Sequence, residues 1–221
     1  MHPIDTSSAE SLKAKHRLLR DEQPEQLRVR LHRAISWLAR AEKETDDLDA
    51  RFIFLWVSFN AAYAREFGFE HTERDQVRQF VARLLSIDTD KRLHNILYRH
   101  FTGSIRTLIE NKFVFEPFWK ALRDHDSSGR WEDQFTASKR VALKALLEKD
   151  THLLLSIVLD RLYVLRNQLV HGGATWNSGA NRSQVKDGAQ ILATLGPIIV
   201  DVMMTNHDVD FEGIAYPLVP G

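Results

Sequence analysis

The chain has 221 residues, 43% of them hydrophobic, which is enough to bury a substantial core as one domain. Thirty Lys and Arg balance thirty Asp and Glu, so no global cationic field attracts nucleic acid, and an RNA contact needs a local basic patch. The absence of cysteine excludes disulfides and thiolate-bound metal; with a polar start over Met1–Glu22 and no uninterrupted apolar run of transmembrane length, the expectation is a cytoplasmic protein that does not enter a membrane.

Residues 1–23 predict a loose lead-in or a short first helix, ahead of a single all-helical domain over residues 24–221. After Pro24, Leu27, Leu31, Ile35 and Leu38 recur at three and four and predict an amphipathic helix from Glu25 to Lys43. Arg28, Arg33, Arg40 and Lys43 form its basic flank, read as a solvated face ahead of an RNA contact. Leu48, Phe52, Leu55, Phe59 and Ala62 mark a central helix ended by Gly68, within which Asn60 is expected to be buried and to tie two helices together.

Thr72 with Asp75 caps a helix to Leu85, and Asp88 caps one over Lys91–Phe101. Thr102-Gly103-Ser104 reads as a break before a shorter helix through Leu108, and Phe113–Phe115 as an extended joint before another. Asp124–Gly129 is a loop, and a lysine-rich helix over Trp131–Lys149 leads into Asp150. Near the end, Asn181 with Gln184 caps a long helix reaching Thr205, which Gly196-Pro197 should kink; the apolar tail from Asn206 is expected to lie along the helices. The fold class that follows is all-α, a bundle of about four long antiparallel helices with additional short ones.

The chemistry concentrates in Leu153–Gly173, LLLSIVLDRLYVLRNQLVHGG. At about 100° per residue, Leu155, Val158, Leu162, Leu165 and Leu169 form one core stripe, and the opposite side mixes Leu153, Ile157 and Val164 with Asp160, Asn167 and His171. A helix apolar on both sides is covered on both, by another layer of its own chain or by a partner subunit. His171 falls in the last turn before Gly172 and Gly173, where the negative end of the helix dipole favours a cationic side chain. Asn167 shares its face, whereas Arg166 lies about 140° away on a regular helix.

Arg166-Asn167-Gln168-Leu169-Val170-His171 at the end of a long apolar helix resembles the Arg-Asn-x-x-x-His signature of HEPN domains (higher eukaryotes and prokaryotes nucleotide-binding). VLRNQLVHGG and the upstream FLWVSFNAAYA at Phe54–Ala64 look most like the Apea-like HEPN branch associated with bacterial anti-phage defence. The resemblance implies a metal-independent endoribonuclease of a defence or toxin-type system. It also implies a homodimer with the motif helices facing each other across a two-fold, and leaves room for an antitoxin or defence partner.

RNA can be cut without metal when a base removes the 2′-hydroxyl proton, the oxygen attacks its own phosphate, and the extra charge is stabilised as the leaving oxygen is protonated. His171 suits the acid and base steps, Arg166 the phosphate, and Asn167 the orientation of either. Asp160 is a further orienting candidate that could pair with an arginine across the dimer interface, with a structural salt bridge the favoured reading. The chain shows no phosphate loop, dinucleotide fingerprint or metal spacing, so the reading assigns neither cofactor nor metal. The alternative is a non-catalytic HEPN-type module that binds a partner, RNA or a nucleotide, with Arg166 holding a carboxylate of the fold and His171 closing the helix.

Overall fold

The computed structural model describes residues 7–64, 73–211, 213–214 and 216–218. Among these the architecture is all-α. Ten α-helices follow one another: α1 (Ala9–Leu19), α2 (Glu25–Glu42), α3 (Leu48–Tyr63), α4 (Glu73–Ile87), α5 (Arg92–His100), α6 (Thr102–Glu110), α7 (Glu116–Arg123), α8 (Arg130–Glu148), α9 (Thr151–Val170) and α10 (Arg182–Thr205).

Two packed groups share one core. In the first, α2 and α3 form a hairpin closed by the short 43–47 connection, and α10 lies on both, with α1 against α2 and α10. Leu27, Leu31, Ile35 and Leu38 of α2 and Phe52, Leu55, Phe59 and Ala62 of α3 are all buried, as their spacing predicts. In the second group α9 is surrounded by α3, α4, α5, α6 and α8. Gly188 lets α10 approach closely where the groups meet, since a Cβ there would sit 2.9 Å from both Leu162 of α9 and Phe52 of α3. The segment from Gly179 to Thr205 is apolar enough to cross a membrane by length and composition, but 78% of its apolar window is buried inside the fold.

Several local expectations change. Of the two expectations for the start, the described residues form the short helix, and α1 packs Ala9, Leu12 and His16 into the core. Gly68 and Thr72, expected to end α3 and cap α4, lie outside the described residues; α3 ends at Tyr63 as Ala64 turns extended. Asp88 caps α5 by accepting from the backbone N–H of Arg92 and Leu93 at 3.0 and 2.8 Å, with Lys91 left-handed between them. Thr102-Gly103-Ser104 is no break but the first turn of α6; the chain bends at Phe101 instead, whose buried ring holds the corner.

Phe113–Phe115 is not fully extended, because Lys112–Val114 makes one 3-10 turn anchored by the Asn111 side chain accepting from the Phe113 N–H at 2.7 Å. Asn181 stands where α10 begins, yet its side chain makes no capping bond. Asn60 is half-buried, and Ser58 ties α3 to α2 in its place, donating to the Ala34 carbonyl at 2.8 Å. The tail does lie on the helices: Phe211 is buried, and Arg33 donates to the Tyr216 carbonyl at 2.7 Å.

Candidate functional site

Helix α9 begins where Asp150 accepts from the backbone N–H of Leu153 at 3.0 Å. It ends at His171, whose N–H reaches the Asn167 carbonyl at 3.0 Å, while Gly172 takes a φ of +68° that only glycine adopts without strain. Leu155, Val158, Leu162 and Leu165 are fully buried, as the core stripe requires. The second face is covered unevenly within the chain: Val164 is buried beside the Val114–Pro117 joint, while Ile157 is half-buried and Leu153 exposed. The double apolar character of α9 is therefore met only in part by its own chain, at Val164.

The motif residues do not converge. Arg166 points inward to a cage on α3 and α4, where one guanidinium nitrogen donates to Glu73 Oε1 at 3.3 Å and another to Asn167 Oδ1 at 2.9 Å. Its guanidinium carbon lies 5.7 Å from the Trp56 ring centre and 5.2 Å from that of Tyr163, so cation–π attraction adds to the ion pair. The same Glu73 oxygen accepts from the Tyr63 hydroxyl at 2.6 Å. Burial and the Glu73 carboxylate push the Tyr63 hydroxyl well above the usual phenol range, so it stays a donor. His171 is exposed, and no side-chain hydrogen bond joins it to Arg166 or Asn167.

Asp160, two turns earlier, is held within the chain by Arg78 at 3.1 Å and Arg74 at 3.7 Å, both from α4. Arg74 also pairs with Glu116 and lies over Tyr163. Glu73, Arg74 and Arg78 thus stitch the start of α4 along α9. Sequence reading missed this trio; ERDQVR shows charges at helical spacing but not which helix they face.

Arg161 was missed as well. It is 4% exposed, donates to Ser138 Oγ at 2.9 Å, and lies between Phe115 and Phe135. Burial pushes it down to about 10, so it remains a cation at neutral pH. The cleft beside it is about 180 Å³, below the size of a usual nucleotide-type pocket. Among the described residues no three His, Asp or Glu side chains cluster as a cation cage.

What one chain offers chemically is a solvent-facing imidazole at a helix end and, on another side of the helix, an arginine held by an exchangeable carboxylate. Comparison with protein-family models, characterised proteins and solved structures finds no match.

Proposed function

We propose that the protein is a HEPN-type, metal-independent endoribonuclease of a bacterial defence or toxin-type system, cytoplasmic and working as a homodimer. The observation that carries the reading is His171: it stands exposed at the end of α9, fixed by Gly172, with Arg166 and Asn167 in the preceding turn. Exposure suits a group that must exchange protons with substrate and water. The four-helix core of the family would correspond to α2, α3, α9 and α10: the last three meet around Phe52, Leu162 and Gly188, and α2 packs on α3 and α10.

In this mechanism the RNA phosphate takes the place of Glu73 on the Arg166 guanidinium, exchanging one oxyanion for another, and Asn167 holds that guanidinium in orientation. His171 of the partner subunit removes the 2′-hydroxyl proton, which supplies the convergence that a single α9 lacks. Val170, exposed beside His171, supports a partner at this end of the helix. The apolar α10 is enclosed in the core, which supports a location away from membranes.

One observation favours a second reading. Arg166 already neutralises Glu73 in the fold, as it would in a non-catalytic interaction or RNA-binding module. Incubation with single-stranded RNA in excess EDTA separates the two. The nuclease gives products ending in 2′,3′-cyclic phosphate and spares 2′-deoxy substrate; binding without cleavage, or cleavage of the 2′-deoxy strand, contradicts the proposal.

A further inference from the structure

Away from α9, on the far side of α2, the surface holds a concentration of cations that the ribonuclease reading does not use. A groove of about 330 Å³ runs between α1 and α2, and its polar lining is Lys13, His16, His32, Ser36, Arg40 and Lys43. No acid lines it. In a chain whose charges balance overall, so basic a lining is a local excess.

The neighbouring acids offset it only in part. Glu44 pairs with Arg40, which also rests 4.7 Å above the Phe54 ring, and Glu42 accepts from the backbone N–H of Ala9 at 2.8 Å. Lys13, Lys43 and His32 are left exposed without an ion pair among the described residues. On the floor, His16 is 6% exposed and its Nε2 is buried without a hydrogen bond. Burial first, then His32, Arg20 and Arg28, push His16 below the usual histidine range, although Gln23 beside it works the other way.

The flank of α2 thus divides into used and unused cations. Arg33 holds the tail and Arg40 holds Glu44, whereas Lys43 joins Lys13 across the groove. Two ammonium groups, an exposed imidazole and a hydroxyl facing one space match the several oxygens of a phosphate, each needing a donor.

We propose that the α1–α2 groove is a phosphate-binding site, in which Lys13, Lys43 and His32 hold the oxyanion of a phosphate ester, Ser36 donates its hydroxyl, and His16 forms the floor. The site is separate from the end of α9 and does not depend on the chain being a nuclease. The ester belongs to a nucleotide or to the backbone of RNA.

Calorimetric titration at fixed ionic strength tests it with two probes, metal-free ATP and a 2′-O-methyl oligouridine that cannot undergo 2′-hydroxyl attack. Wild type should saturate with one of them, and Lys13→Ala/Lys43→Ala, both at exposed positions, should bind it about tenfold more weakly or worse. Tighter ATP binding assigns the site to a nucleotide, and tighter oligouridine binding to an RNA backbone. Lys144→Ala/Lys186→Ala, removing two exposed lysines elsewhere, should bind as wild type. Absence of saturation by either probe, or equal affinity in Lys13→Ala/Lys43→Ala, overturns the proposal.

Discussion

Arg30 and Arg166 show what a buried arginine does in two regions of this fold. Arg30, 2% exposed on α2, donates to four backbone carbonyls: Ala62 and Ala64 at the end of α3, and Phe211 and Gly213 in the tail, at 2.7 to 3.3 Å. Arg166, 19% exposed by side chain, meets a side-chain carboxylate, a side-chain amide and two aromatic faces. Carbonyls belong to the main chain and cannot leave without moving it, whereas a carboxylate can be replaced by another oxyanion through a side-chain rotation. The first arrangement fixes a fold; the second can also serve a ligand.

The largest expected effect breaks the first region. Arg30→Ala should lower unfolding stability by about 3 kcal/mol or more, because several carbonyls lose their donor at once. Denaturant melts that shift by less than a third of this would show that water reaches the carbonyls and that Arg30 is no clamp.

A second structural ion cluster sharpens the contrast through pH. Burial works against the charge of Asp201, but Lys15 at 2.7 Å and Arg92 at 2.6 Å outweigh it and hold its carboxyl below the usual aspartate range. A carboxylate with a depressed folded pKa stabilises the fold above its unfolded pKa, and that contribution is lost as pH falls through the folded value. Wild type should therefore exceed Asp201→Asn by about 1 kcal/mol at neutral pH, and the gap should close below about pH 4. A gap that persists at pH 2 would place the effect in packing instead.

The smallest effect on stability belongs to the site. Arg166→Ala should cost about 0.5 kcal/mol, since Glu73 keeps its bond from Tyr63 and the ion pair is partly solvated. A loss as large as that of Arg30→Ala would favour the non-catalytic reading, with Arg166 as a second fold clamp.

How these regions read from sequence differs for physical reasons. Apolar spacing on α2, α3 and α9 gave the core faces correctly because burial repeats with the helix period. The same periodicity is silent about charges that pair between helices, so it shows neither the burial of Arg30 and Arg161 nor Glu73 as the partner of Arg166. Arg166, Asn167, His171 and the glycine stop were visible, being local to one helix end. Their divergence within the chain was visible too, from the helical angle. What α9 packs against was not, and on the second apolar face the Val114–Pro117 joint lies beside Val164 while Leu153 stays exposed.

The measurement closest to the central claim is RNA cleavage by Arg166→Ala, by His171→Ala and by their mixture after subunit exchange, beside wild type and with melting temperatures of each. If the arginine of one chain and the histidine of the other form a single site, both variants are folded and inactive, and the mixture regains part of the wild-type rate. Undiminished cleavage by folded His171→Ala contradicts the account, as does a mixture that stays inactive while wild type cuts.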